Sequence, residues 1–178
     1  DTSGLTITAA DESAPQELTE SVFESYQPQR LQVPGAKAHP GPLVQSAAMA
    51  AVLPPAPTYT PNLPANTVSD GLLSIAQIEA VVYAGQSHTQ DLDLKSTPET
   101  IHAMKLDKAG VLPDAAYRRG FFIGDGTGVG KGREISGILL DNLRQGRKKH
   151  VWISEKQGLI NDAARDFAGV QEGTSAGD

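Results

Sequence analysis

Between residues 120 and 140 the chain reads GFFIGDGTGVGKGREISGILL. A short apolar run breaks into alternating glycines, Lys131 follows, and apolar residues then recur at helical spacing through Ile135, Ile138, Leu139 and Leu143. Few backbones suit that order. A glycine turn that opens a helix leaves free N–H groups at the positive end of the helix dipole, and glycines keep side chains from blocking an approaching anion. Gly126, Gly128, Gly130 and Lys131 therefore read as a phosphate loop, with Lys131 reaching the outer phosphates. Thr127, Val129, Gly132 and Arg133 complete the expected binding stretch. Two positions depart from the G-x-x-x-x-G-K-[ST] pattern. Asp125 stands at the first glycine, and Gly132 lacks the hydroxyl that ordinarily holds magnesium. The competing reading is a tight turn without a ligand.

The flanks extend the pattern. GFFIGD and, beyond the helix, HVWIS read as buried strands, with Trp152 in the core. Gly146 suits a left-handed helix end, and QGLINDAARDFAGV reads as a further helix. Strand, loop, helix, strand, helix predicts a parallel βαβα unit and an α/β fold. Upstream, Ser74 takes an N-cap position before Ile75, Ile78, Val81 and Val82, which predicts one more helix. Residues 88 to 119 are polar and broken by Pro98 and Pro113, with a short helix expected at TPETIHAMKLD.

Residues 26 to 70 hold most of the prolines and should form an extended, non-repetitive arm. Apolar stretches such as LVQSAAMAAVLPP would be wasted on a free linker, so the arm is expected to strap across the body formed by residues 71 to 178. Residues 1 to 25 carry Asp1, Asp11, Glu12, Glu17, Glu20 and Glu24 without a lysine or arginine, an acidic tail suited to a protein partner. One amphipathic helix is expected there, with Leu18, Val22 and Phe23 on one face.

The tail accounts for the whole net charge of −6, and the rest of the chain is balanced. Arg118, Arg119, Lys131, Arg133, Arg144, Arg147, Lys148 and Lys149 gather around the loop, which fits an anionic ligand and equally a solvated helix end. The chain has no cysteine, so disulfides and thiolate metal sites are excluded, and its four histidines show no ligand spacing. No stretch approaches the roughly 20 apolar residues that cross a bilayer.

The stretch RRGFFIGDGTGVGKGREISGILLDNLRQGRKKHVWIS closely resembles the strawberry notch family, a helicase-like branch of the superfamily 2 motor ATPases. The glycine after the lysine is shared with that family's loop. The lead-in HPGPLVQSAAMAAVLPPAPTYTPNLP and LLSIAQIEAVVYAGQSH resembles its bacterial and phage members, so the likeness covers residues 26 to 170. It implies part of a RecA-like P-loop lobe, ATP and Mg2+ as ligands, DNA or RNA as the partner of the intact protein, and a cytoplasmic location. It also implies that Gln77 reads adenine, whose N6 and N7 a carboxamide can pair together. It places Arg133 near a phosphate and Ser154 and Glu155 near a nucleic-acid backbone. Asp162, Arg165 and Asp166 recur in its next helix, where surface ion pairs would explain them equally well.

Superfamily 2 motors hydrolyse ATP with an acidic D-E-x-D/H box on a later strand, and no such box follows Lys131. The chain is therefore expected to be the N-terminal part of a longer ATPase. It would bind ATP, carry no catalytic residue of its own, and hold Mg2+ through phosphates and residues beyond this stretch. The alternative is a non-catalytic interaction module with a relic loop. A small kinase or GTPase is set aside for want of length and of a guanine-reading N-K-x-D.

Overall fold

The computed structural model describes residues 6–9, 22–92 and 117–171. Its elements are β1 (Thr8–Ala9), β2 (Phe23–Ser25), β3 (Leu31–Gln32), β4 (Val44–Ser46), α1 (Ala47–Ala50), α2 (Ala65–Ser69), α3 (Ile75–His88), β5 (Asp91–Leu92), β6 (Tyr117–Arg118), α4 (Lys131–Arg144) and α5 (Gly158–Gln171). The helix expected at TPETIHAMKLD lies outside the described residues.

The three long helices form where local pattern demands them. Ser74 caps α3 through its hydroxyl, which accepts from the Gln77 amide, while the Gln77 side chain accepts from the Ser74 amide in a reciprocal capping box. Ile78, Val81 and Val82 are buried on the inner face of α3. They join Leu73, Leu140 of α4 and Val170 of α5 in one cluster, with Ile138 and Phe167 packed against it. Helix α4 lies between α3 and α5. Close approach to α3 is possible because Gly137 presents no side chain: a Cβ there would stand 2.7 Å from Val81 Cγ2 and 2.9 Å from Leu73 Cδ1. Helix α4 ends at Gly146, whose φ of 83° places it in the left-handed region while its amide donates to Leu143 O.

The proline-rich stretch contributes Leu31, Val33, Leu63 and Val68 to the same cluster. Burying such side chains contributes roughly 1.5–3 kcal/mol each. The stretch is not uniformly irregular, as it holds α1, α2 and short strands. Its firmest polar anchor is Asp141 near the end of α4, 1% exposed. That carboxylate accepts from Tyr59 Oη at 2.6 Å, the Asn62 amide at 2.6 Å and Gln145 Nε2 at 2.7 Å. The Tyr59 ring fills the space that a side chain at Gly85 of α3 would need.

Three sequence expectations are corrected. Phe23 belongs to a strand, not a helix: β2 pairs antiparallel with β4, and Val22 and Phe23 are exposed. The parallel βαβα unit is not formed among the described residues, where the ladders β1–β3, β2–β4 and β5–β6 are all antiparallel pairs. Residues 120–125 and 150–154 join no ladder, and Phe122, Val151 and Ile153 are 88%, 86% and 87% exposed. Trp152 is likewise exposed and not a core residue. The reason is that a strand, unlike a helix, bonds only to a neighbouring strand, and no described strand pairs with either run.

Candidate phosphate-loop site

The chain enters the loop from Gly124 and leaves it as the first turn of α4. Gly128 and Gly130 have φ of 97° and 88°, values that side chains rarely tolerate, so glycine is required at both. Gly130 is the N-cap of α4 and has no side chain to satisfy the helix's first amides. Among the described residues, the amides of Gly126 through Gly132 make no well-formed hydrogen bond to a carbonyl or side chain beyond the turn at Thr127–Gly128; the first helix amides to be paired are those of Arg133 and Glu134, both to Gly130 O. A row of unpaired N–H groups at a helix N-terminus is an anion-binding arrangement.

Lys131 is exposed and folds back over the loop, its Nζ donating to Asp125 O at 2.8 Å and Gly126 O at 2.9 Å. That places the ammonium at the loop's mouth. Gly126, Thr127 and Gly128 are also exposed, while Val129, Gly130 and Gly132 are half-buried. Beside the loop opens a cleft of about 630 Å³, bordered by Tyr26, Met49, Pro54, Tyr83, Phe121 and Val129.

Two expected contacts have other partners in the structure. Gln77 is buried, and besides its bond to the Ser74 amide it donates from Nε2 to Val129 O at 2.8 Å. Its carboxamide thus ties the start of α3 to the loop, and an adenine contact would require both bonds to be given up. Arg133 donates to Leu72 O at 2.8 Å, and its guanidinium also lies against Gly169 of α5. It braces the base of α4 between two neighbours.

Sequence reasoning passed over a group of carboxylates beneath the loop. Glu134 is fully buried in the first turn of α4, with neither oxygen hydrogen-bonded. Burial first, then the charge of Asp125, pushes its carboxyl up to about 8, against the pull of Lys131. Glu79 of α3 is pushed up to about 7 by the same two causes in the same order. A glutamate three residues after a phosphate-loop lysine reads in sequence as a helix-dipole partner, and only the packing of α3 and α5 around α4 reveals that it is buried. Among the described residues, no three histidine or acidic side chains are placed to hold a metal ion unaided. No described helix is long and apolar enough to cross a membrane.

The family model described as P-loop containing NTP hydrolase pore-1 matches residues 38–176. Protein strawberry notch of Drosophila melanogaster is 37% identical over 148 residues, which is 83% of this chain and 8% of that protein. Protein FORGETTER 1 of Arabidopsis thaliana is 38% identical over 148 residues, 83% of this chain and 10% of that protein. Protein strawberry notch homolog 2 of Homo sapiens is 36% identical over 149 residues, 84% of this chain and 9% of that protein. The chain thus spans about a tenth or less of the length of these relatives. No solved structure matches it. A glycine loop with unpaired amides at the head of α4, in a chain matched over most of its length, identifies the protein as a member of the P-loop NTP hydrolase pore-1 family, the family of the strawberry notch proteins.

Proposed function

We propose that this chain is the nucleotide-binding part of a helicase-like ATPase that acts on nucleic acid. The observation that carries the reading is the unpaired run of amides from Gly126 to Gly132 at the N-terminus of α4. Those amides would take the β and γ phosphates of ATP, and Lys131 would turn from the carbonyls of Asp125 and Gly126 to the phosphate oxygens. The adjoining cleft, walled by Tyr26, Tyr83 and Met49, has room for a nucleoside. Residues 120–125 and 150–154 would serve as strands of a RecA-like sheet once neighbouring strands cover their exposed apolar side chains. Mg2+ would accompany the nucleotide, polarising its phosphates.

Hydrolysis is not assigned to this chain, because no acidic box accompanies the loop in its sequence. A fluorescent ATP analogue titrated into the purified chain tests the reading. Binding that falls at least about tenfold in Lys131→Ala supports it, in line with the loss of a charge-assisted phosphate contact. Equal binding by both proteins refutes it and favours a non-catalytic interaction module. ATP turnover by the chain alone, abolished in Lys131→Ala, would refute the assignment of hydrolysis elsewhere.

A further inference from the structure

Of the loop's two departures from the usual pattern, one bears on the metal: Gly132 stands where a hydroxyl would bind the magnesium ion. The structure fills that place from another helix. A Cβ built on Gly132 would overlap Asp166 Oδ2 of α5, so an acidic oxygen occupies the volume that the missing side chain would take. Asp166 reaches it because α5 packs along α4. Its other oxygen, Oδ1, lies 3.5 Å from Arg165 Nη2, and the side chain is 24% exposed. Oδ2 accepts no hydrogen bond from the described residues, although it lies against the first turn of α4. It is therefore not a helix cap.

The same turn of α4 also buries an acidic group. Glu134, beneath the same turn and within electrostatic reach of Asp125 and Lys131, is 0% exposed with two unpartnered oxygens. Magnesium keeps several waters and is commonly held by one or two carboxylates together with substrate phosphates. A complete cage of protein ligands is therefore not needed.

We propose that Asp166 supplies, from α5, the magnesium-side oxygen that Gly132 cannot. Asp166 would help to hold a magnesium ion that accompanies the nucleotide, directly or through water, and the ion would supply positive charge to the phosphates. A carboxylate contributed by a neighbouring helix also makes the metal site depend on how α5 sits against α4. The proposal rests on the phosphate-loop reading given above, and the test separates the two.

Binding of the fluorescent ATP analogue is measured in EDTA and in Mg2+ for the wild type, Lys131→Ala, Asp166→Asn, Asp166→Ala, and Asp166→Ala combined with Gly132→Ser. Electron paramagnetic resonance of Mn2+ added with nucleotide reads the metal directly. The wild type should bind more tightly with Mg2+ than in EDTA. Asp166→Asn and Asp166→Ala should keep the EDTA affinity, lose about tenfold of the Mg2+ increment and weaken the bound-Mn2+ signal. The double variant should regain the increment, because removing the carboxylate clears space for a serine hydroxyl at the usual position. An Mg2+ increment and Mn2+ signal unchanged in Asp166→Asn would overturn the proposal. Equal loss in EDTA and Mg2+ would also overturn it, since Asp166 would then be a packing residue. If Lys131→Ala leaves binding unchanged in both buffers, the phosphate-loop reading itself fails and the proposal falls with it.

Discussion

Replacing Gly85 by alanine tests how the proline-rich stretch is held to the helices. In the middle of an exposed helix such a change stabilises by about 1 kcal/mol, because glycine loses more backbone freedom on folding. Here the opposite sign is expected. A Cβ at residue 85 would overlap the Tyr59 ring, so the ring must leave α3. With it goes the 2.6 Å bond from Tyr59 Oη to Asp141, a charge-assisted bond worth roughly 1.5–3 kcal/mol. The half-buried ring also gives up roughly 100 Å² of apolar contact, about 2.5 kcal/mol at 25 cal/mol per Å². Against a helix-propensity gain of about 1 kcal/mol, the net loss is about 3–4.5 kcal/mol. Urea unfolding at 25 °C would show it as a lower midpoint with an unchanged slope. The decisive comparison is Gly85→Ala in a Tyr59→Ala background. With the ring already gone, the same change should be neutral or stabilising. An equal destabilisation in both backgrounds would show that Tyr59 is not what the glycine accommodates.

Other substitutions probe the loop and its surroundings. Gln77→Ala leaves the buried Ser74 amide without its acceptor and Val129 O without its donor, and should cost about 2 kcal/mol in urea unfolding. Gln77→Glu keeps the acceptor but sets a carboxylate oxygen against Val129 O in a buried position. It should cost at least as much at neutral pH and less at low pH, where the protonated carboxyl can donate to Val129 O. The Glu79 carboxyl is pushed up to about 7 from 4.5, so the folded chain holds that proton more tightly than the unfolded chain does. The stability this contributes is complete below pH 4.5 and is lost as pH rises through about 7, at up to about 1.4 kcal/mol per pH unit. Glu79→Gln should flatten that decline and raise the melting temperature at pH 8. Gly137→Ala sets an overpacking cost of roughly 1–3 kcal/mol against a propensity gain of about 1 kcal/mol, and should lower stability by about 1 kcal/mol. A stabilised Gly137→Ala would mean that α3 and α4 do not cross as closely as described.

The sequence alone carried the three long helices and the loop. Ser74 and Gln77 write the start of α3, the apolar spacing from Ile135 writes α4, and Gly146 writes its end, because helix bonds and caps join residues only a few positions apart. The same locality makes Gly126 to Lys131 legible as a phosphate loop: its chemistry lies in consecutive amides. Only the tertiary structure decided what those elements meet. It engaged both ends of the Gln77 carboxamide, turned Arg133 to Leu72, buried Glu134 without a partner and brought Asp166 to the vacant side of Gly132. It also left GFFIGD and HVWIS without ladders, whereas their apolar composition had suggested buried strands. A strand's partner and a side chain's neighbour lie far away in sequence. They are set by how the helices pack, which no local pattern records.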